Sequence, residues 1–191
     1  MKIGIVGSEE PKWTEEQKPK AKEEIRGIFA RSAMALAEKR NCSSDDQFLV
    51  GMLDSLVHYQ DLILVSGHCH KGGIDIWAEE IADALGIKKE IYPAEVNQWS
   101  DKRPIQNTIP VSVDLKGYRS RNIQIVRSCD ILYDIEPAKS CRYCHGLGEG
   151  DYRLFIGTCP RCEGDGAYSG GTWTMKYARK LGKKNHKVVI Q

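Results

Sequence analysis

Short apolar runs alternate with amphipathic segments along the chain, and this alternation constrains the fold more than any other feature. Residues 62–65 are four consecutive apolar residues followed by Ser66 and Gly67, which is typical of a buried strand. Residues 74–85 then carry apolar side chains at helical spacing, and Gly86 follows as a helix stop. Strands that alternate with helices in this way predict an α/β fold, namely a Rossmann-like parallel sheet with helices on both faces.

The same patterns place the remaining elements. Strands are predicted at residues 2–6, 62–67, 88–93, 130–137 and 186–191. Helices are predicted after a capping box at residues 14–17 and at residues 48–57, 72–86, 118–129 and 171–183. Residues 93–117 look irregular.

Composition limits the class of protein. The chain has 191 residues, 41% of them hydrophobic and 28% charged, which suits one globular domain with a small inserted module. The net charge of +2 is too small to indicate nucleic acid or an acidic membrane as a partner. Because the sequence shows neither a membrane-length apolar run nor a signal-peptide pattern, we expect a cytoplasmic protein with no membrane partner.

One sequence phrase, Cys-x-x-Cys-x-Gly-x-Gly, occurs twice between residues 141 and 166. Four of the seven cysteines belong to it, and two closely spaced pairs without an export signal favour a metal over disulfides. Four thiolates satisfy the tetrahedral preference of zinc, so we expect one closed, structural zinc site. Two disulfides or an iron site would use the same residues, and His145 could replace one ligand. The predicted ligands are Cys141, Cys144, Cys159 and Cys162.

This doubled phrase resembles the cysteine-rich repeats of DnaJ-type chaperones, in which two such repeats bind each zinc. The resemblance covers about 26 residues and implies a zinc ribbon but no chaperone activity. We therefore predict an inserted zinc-binding module at residues 138–167, within a domain formed by residues 1–137 and 168–191. The basic and acidic residues of the insert balance, whereas a nucleic-acid-reading finger normally has a basic excess.

Small residues follow three of the predicted strands or open the helices after them. In a parallel sheet these turns lie at one edge, where ligands bind near the switch in strand order. Glycines at a helix start expose backbone N–H groups beside the positive end of the helix dipole, which suits a phosphate. The turns are Gly7-Ser8, Ser66-Gly67, Gly72-Gly73 and Gly170-Gly171-Thr172.

The order of several segments resembles the SLOG superfamily, and most of all its YspA-like branch, which is related to the LOG phosphoribohydrolases and to DprA. The segments are "LVSGHCHKGGIDIWAEEIADALGI", "IYPAEVNQW", "YRSRNIQIV", "CDILYDI" and "GGTWTMKYARKLGK". The resemblance covers about residues 1–136 and 168–191 and implies a site for nucleotides or nucleotide-derived ligands.

Five further side chains are candidates for that site. Arg121 could pair with a phosphate and Asn122 could fix the phosphate or a ribose hydroxyl. Asp75 could accept from ribose hydroxyls, Trp99 could stack on a base, and His68 could line the pocket. Each also has a structural alternative: Asp75 could cap its helix, Trp99 could cover the core and Arg121 could bridge to an acid.

The resemblance leaves the activity open. LOG-type enzymes share the motif PGGxGTxxE, whereas this chain has "SGGTWTMK", with Met175 where the glutamate of the family would stand. We therefore expect a protein that binds a nucleotide-like small molecule, with a nucleoside-monophosphate N-glycosidase as the alternative. A DprA-like nucleic-acid-binding protein is the second alternative, and a homo-oligomer is in keeping with related SLOG proteins.

Overall fold

The computed structural model describes residues 1–41, 59–99, 117–152 and 155–191. Within these ranges the strands are β1 (Lys2–Gly7), β2 (Ile63–Ser66), β3 (Lys88–Ile91), β4 (Ile131–Pro137), β5 (Glu149–Tyr152), β6 (Phe155–Thr158) and β7 (Lys184–Ile190). The α-helices in the same ranges are α1 (Gln17–Asn41), α2 (Ile74–Ala84), α3 (Tyr118–Ser128) and α4 (Gly170–Lys180). Short 3-10 turns occupy Glu10–Lys12 and Tyr59–Asp61.

Five of the strands form one parallel sheet in the order β3-β2-β1-β4-β7. β1 is the central strand: β2 and β3 follow in order on one side of it, and β4 and β7 lie on the other side. The switch in strand order therefore lies between β1 and β4, where Ile5 pairs with Tyr133. This sheet confirms the α/β prediction, and its carboxyl ends meet at one edge, where such folds bind ligands.

The helices cover both faces of the sheet. On one face α1 and α2 pack on β1 and β2, and Phe29, Ile3 and Leu64 are fully buried between them. On the other face α3 and α4 enclose a smaller apolar cluster that includes Val6, Ile125 and Met175. Burial of apolar surface on both faces is what a sheet of parallel strands requires for stability.

The start of α1 confirms the capping box in the sequence. The backbone N–H of Gln17 donates to Thr14 Oγ1 at 3.3 Å, and the N–H of Thr14 donates to Gln17 Oε1 at 3.2 Å. These reciprocal bonds satisfy donors that a helix start would otherwise leave unpaired. Pro19 lies in the first turn, where its missing N–H removes no helical bond.

Two predicted regions fall partly or wholly outside the described residues. The helix expected at residues 48–57 lies there, and so does the larger part of the irregular segment at residues 93–117. The described part of that segment, residues 93–99, has neither helix nor strand.

The region of the four cysteines contains an antiparallel hairpin, formed by β5 and β6 with Gly150 opposite Gly157. These two strands are not predicted by the sequence, because residues 149–158 show no regular alternation of apolar and polar residues. We call residues 138–167 the cysteine knuckle.

No helix in the described ranges combines the length and the hydrophobicity needed to cross a lipid bilayer.

Candidate functional site

Four buried sulfur atoms meet in the cysteine knuckle. The Sγ atoms of Cys141, Cys144, Cys159 and Cys162 all lie within 4.8 Å of one another. Cys141 Sγ is 4.0 Å from Cys159 Sγ, and Cys144 Sγ is 3.6 Å from Cys162 Sγ. A tetrahedral zinc with Zn–S bonds of about 2.3 Å requires sulfurs about 3.8 Å apart. The cluster therefore has the donor atoms and the spacing to hold a metal ion such as zinc.

The two Cys-x-x-Cys-x-Gly-x-Gly repeats of the knuckle have matching backbone conformations. His145, Gly146 and Gly148 have φ values of 52°, 78° and 75°, and the equivalent residues of the second repeat also have positive φ. Those residues are Glu163, Gly164 and Gly166. In the first repeat this turn brings the N–H of Gly148 within 3.3 Å of Cys144 Sγ. An N–H bond to sulfur favours the thiolate form, which is the form that binds metal.

Two of the four thiols differ in their readiness to ionise. Burial opposes the ionisation of Cys159, but backbone hydrogen bonds from Cys162 and Arg161 outweigh it and lower the pKa of Cys159 to about 7. Burial raises the pKa of Cys162 to about 12. Cys69 and Cys129 are free thiols that lie apart from the cluster. The three cysteines outside the repeated phrase are predicted to be free thiols, and the third of them, Cys42, lies outside the described residues.

Ion pairs join the knuckle to α4 and to β7. Glu163 accepts from Lys176 and from Arg179 of α4, both at 3.0 Å, and these two partners lower the pKa of its carboxyl. Lys187 of β7 lies 2.6 Å from Asp165. The knuckle thus has a defined place next to the C-terminal half of α4 and beside the edge strand β7.

A cleft of about 180 Å³ opens at the carboxyl edge of the sheet, at the switch between β1 and β4. We call it the sheet-edge cleft. It combines cationic and aromatic side chains with the start of α4, and one carboxylate, that of Glu9, lines it. Its residues are Val6, Gly7, Glu9, Lys12, Cys69, Lys71, Trp99, Tyr118, Arg121, Asn122, Ser169, Gly170 and Gly171.

Gly171 allows the start of α4 to approach the end of β1. A Cβ atom at this position would stand 3.0 Å from Gly7 Cα and 2.2 Å from Asp134 Oδ1. The helix is capped by Ser169, whose Oγ accepts from the N–H of Gly171 at 2.9 Å. Thr172 is buried and completes this capping box, since its hydroxyl accepts from the N–H of Ser169 at 3.4 Å.

Two buried carboxyl groups lie beneath this helix start. Glu136 accepts from Ser8 Oγ at 2.5 Å and from the hydroxyl of Ser169. Neither carboxyl oxygen of Asp134 has a hydrogen-bond partner among the described residues. Burial and the adjacent Glu136 carboxylate raise the pKa of Asp134 well above its ordinary value, so Asp134 holds its proton at a pH where an exposed aspartate has lost it.

Six of the predicted ligand-binding residues line the cleft: Gly7, Trp99, Arg121, Asn122, Gly170 and Gly171. The other eight predicted residues do not line it. Gly72 and Gly73 lie at the start of α2 with φ values of 73° and 89°, and a Cβ at Gly73 would stand 2.4 Å from the carbonyl oxygen of Ser8.

Arg121 was predicted to bind a phosphate and Asp75 to accept from ribose hydroxyls. In the structure the two side chains form an ion pair with each other at 3.2 Å. Arg121 Nη1 also donates to the carbonyl oxygen of Gly67, and Nε donates to Asn122 Oδ1 at 3.0 Å. Burial raises the pKa of Asp75, although the charge of Arg121 opposes that shift. The structural alternative for Arg121, a bridge to an acid, is thus present in the structure, while the guanidinium also lines the cleft.

His68 and Ser66 converge on one buried acid of α2. Glu79 accepts from Ser66 Oγ at 2.7 Å and lies 2.7 Å from His68 Nδ1. His68 has a φ of 49°, so it adopts the left-handed conformation just after β2. In the described residues the neighbouring His70 contacts the ring and hydroxyl of Tyr118 rather than a cluster of metal ligands.

The structure adds cleft residues that the sequence analysis did not select: Glu9, Lys12, Cys69, Lys71, Tyr118, Ser169 and Val6. Glu9 and Lys12 follow the Gly7-Ser8 turn within five residues, and Lys71 directly precedes Gly72-Gly73. Charged residues next to a predicted phosphate turn were the signal that could have identified them.

Comparison of the chain with protein-family models, with curated proteins and with solved structures gives no match. The structure itself therefore carries the functional assignment: a Rossmann-like parallel sheet with a cleft at its carboxyl edge, and a buried four-cysteine cluster that could hold a metal ion such as zinc.

Proposed function

We propose that this protein binds a nucleotide or a nucleotide-derived ligand in the sheet-edge cleft, beside a structural zinc held by the cysteine knuckle. The observation that carries the proposal is the position of the cleft at the switch in strand order. Cationic side chains, aromatic rings and the start of α4 come together there. The order of motifs that resembles the SLOG superfamily supports the same ligand class.

The phosphate end of the ligand has several partners in this arrangement. Gly170 and Gly171 bring the start of an 11-residue helix to the cleft without side chains that would block it. Lys12, Lys71 and Arg121 add positive charge around the same space. Within the part of the chain that the structure describes, Arg121 donates hydrogen bonds from Nε and Nη1, and we assign its Nη2 to the ligand.

The planar end of the ligand has aromatic surfaces. Trp99 is 41% exposed and packs edge-on against Trp173, with ring centroids 5.1 Å apart. Tyr118 stacks on His70, and the guanidinium of Arg121 lies 5.2 Å from the Tyr118 ring centroid. Aromatic faces of this kind bind bases by stacking, which tolerates any base.

Zinc is the metal that we propose for the four cysteines, in a structural role. Four sulfur ligands leave no coordination position for a substrate. The sulfurs also form a cluster of their own, apart from the two apolar clusters of the sheet domain. A metal in this place would stabilise the knuckle, which is too small to fold on an apolar core.

Mass spectrometry of ligand released from purified protein, followed by calorimetric titration of nucleoside monophosphates, tests the proposal. Trp99→Leu is expected to weaken binding about 5- to 150-fold, as loss of one stacking contact of about 1–3 kcal/mol does. Lys88→Gln serves as the control, because Lys88 is exposed at the amino end of β3, away from the cleft. Absence of binding by any nucleotide, or equal affinity of the Trp99 variant and the wild type, would refute the proposal.

Salt dependence separates this ligand class from nucleic acid. Affinity for a nucleotide held in a cleft changes modestly with salt, whereas the affinity of a DprA-like nucleic-acid complex falls steeply because counterions are released.

A second candidate function, N-glycosidase activity, is favoured by one observation. Met175, at the position of the LOG-type glutamate, is buried, whereas the carboxylate of Glu9 lines the cleft. Burial opposes the ionisation of Glu9, but the ion pair with Lys71 and the charges of Lys12 and Arg142 lower its pKa. An ionised carboxylate suits the stabilisation of an oxocarbenium-like sugar. Free base released by the wild type but not by Glu9→Gln would establish this activity, and binding without release would leave a binding protein.

A further inference from the structure

A second chamber lies between the cysteine knuckle and the edge of the sheet. Its volume is about 510 Å³, and Glu9, Lys12, Ser169 and Gly170 line both this chamber and the sheet-edge cleft. We call it the knuckle chamber. Because the two spaces share one wall, a molecule bound by the start of α4 can extend from one into the other.

The knuckle chamber is positively charged. Lys12, Arg142 and Arg161 line it, and among the described residues no carboxylate oxygen lies within 4.0 Å of these three cations. Glu9 is the one acid in its lining, and Glu9 is paired with Lys71 at 2.9 Å. Three cations against one carboxylate that is already paired leave an excess of positive charge for an anionic group.

The knuckle fixes the backbone positions of the two arginines, whose side chains are exposed. Arg142 lies between Cys141 and Cys144, and Arg161 lies directly before Cys162, so each is inside one of the cysteine pairs. The guanidinium of Arg161 also lies 5.7 Å from the ring centroid of Tyr143, which lines the same chamber. An arginine restrained in this way loses less conformational entropy when it binds an anion than one on a flexible loop does.

We propose that the knuckle chamber binds the second half of a ligand built around a diphosphate, so that the ligand is a nucleoside diphosphate joined to a sugar or to another nucleoside. This inference rests on the proposed nucleotide function and specifies the ligand class. The nucleoside monophosphate half lies in the sheet-edge cleft, and the further phosphate meets Arg142 and Arg161. Tyr143 and Tyr168 provide ring faces and hydroxyl groups for the attached group. A single phosphate would leave most of the chamber empty.

Titration of matched ligand pairs tests the inference. The monophosphates AMP, GMP, CMP and UMP are compared with ADP-glucose, GDP-glucose, CDP-glucose and UDP-glucose. For the preferred base, the diphosphate conjugate is expected to bind at least about tenfold more tightly than the monophosphate, since it adds hydrogen bonds between charged groups.

The double variant R142Q/R161Q is expected to bind the diphosphate conjugate no more tightly than the monophosphate. Its affinity for the monophosphate is expected to equal that of the wild type. Lys139→Gln is the matched control, because Lys139 is a cation of the knuckle that lines neither the sheet-edge cleft nor the knuckle chamber. This variant is expected to bind the diphosphate conjugate more tightly than the monophosphate, as the wild type does. Metal content equal to that of the wild type shows that the knuckle of each variant is intact.

Each outcome bears on one claim. If the monophosphate binds and the conjugate binds no more tightly, or if the double variant binds the conjugate more tightly than the monophosphate as the wild type does, the knuckle chamber is not a ligand site and the proposed nucleotide function stands. If neither the monophosphates nor the conjugates bind, both proposals are wrong.

Discussion

The backbone N–H of Cys141 donates to the carbonyl oxygen of Gly166 at 2.8 Å, and this bond has a counterpart in the other repeat, from Cys159 to Gly148 at 2.7 Å. Each cysteine pair is therefore hydrogen-bonded to the glycine turn of the other repeat. A Cβ at Gly148 would stand 2.1 Å from the carbonyl oxygen of Gly164, and one at Gly166 would stand 2.4 Å from that of Gly146. The two repeats fit together only because these positions lack side chains.

Replacement of one of these glycines should open the knuckle. Gly166→Ala is expected to lower metal affinity and the protection of the knuckle from hydrogen exchange, because steric overlap of about 1–3 kcal/mol adds to the cost of a positive φ. Gly157→Ala is the control, since Gly157 has a φ of 89° and open space around its Cβ position. Equal losses in both variants would show that backbone conformation alone, rather than the contact between repeats, decides the stability of the knuckle.

The metal content of the purified protein is a direct test of the four-cysteine cluster. We expect one zinc per chain, with Zn–S distances of about 2.3 Å in X-ray absorption. Cys162→Ser should lose most of the zinc, whereas Cys69→Ser should retain it, since Cys69 is a free thiol apart from the cluster. Protein without zinc, or with a disulfide between Cys141 and Cys144 in its native state, would contradict the assignment, and iron in place of zinc would correct it.

Removal of the knuckle should leave the sheet domain folded. The two ends of the knuckle are close together, because the N–H of Tyr168 donates to Ser140 Oγ at 3.1 Å and the N–H of Ala138 donates to the carbonyl oxygen of Ile190 at 2.8 Å. A short Gly/Ser linker in place of residues 139–167 should therefore give a folded α/β domain by circular dichroism. The deletion removes the ion pairs of Glu163, and partly exposed pairs of this kind contribute about 1 kcal/mol or less each. An unfolded product would mean that the knuckle is part of the core.

The buried carboxyl of Asp134 should make stability depend on pH. Its pKa lies well above the ordinary value of 3.8, so between these two values the native state holds a proton that the unfolded state has released. The free energy of unfolding therefore falls as the pH rises through this window. In Asp134→Asn this titration is absent, and the melting temperature of the variant relative to the wild type should rise between pH 5 and pH 8.

The control for that experiment is Glu80→Gln on the exposed face of α2. Its melting temperature should follow that of the wild type across the same pH range. Parallel curves for Asp134→Asn and the wild type would show that Asp134 is ionised in the native protein and has a partner that the structure does not show.

The five strands of the parallel sheet and the cysteine cluster were predictable because their signals are local. The apolar run at residues 62–65 specifies β2 wherever it packs, and the spacing of Cys141 and Cys144 brings two sulfurs to one point in any compact turn. The capping box of α1 involves residues only three positions apart. Such features can be predicted without knowing which elements pack against them in the fold.

The arrangement of the cleft was less predictable because it depends on contacts between distant segments. Arg121 and Asp75 are 46 residues apart, and nothing in either local sequence shows that each is the partner of the other. Glu9 and Lys12 reach the cleft because the turn after β1 is bound to β4, where the N–H of Ser8 donates to the carbonyl oxygen of Ile135 at 3.3 Å. The hairpin of β5 and β6 has the same origin, since its pairing depends on the closure of the cysteine knuckle rather than on an apolar pattern.

Arg142 and Arg161 lie inside the two cysteine pairs, and under the proposed function this placement would couple two binding equilibria, that of the metal and that of the ligand. With zinc and ligand bound as proposed, any increase in ligand affinity that zinc produces is matched by an equal increase in zinc affinity that the ligand produces. Saturation with the diphosphate conjugate should then slow the transfer of zinc to a chelator, and loss of zinc should weaken the conjugate while sparing the monophosphate. The metal centre and the ligand site would share one thermodynamic cycle although no atom of the ligand touches the metal.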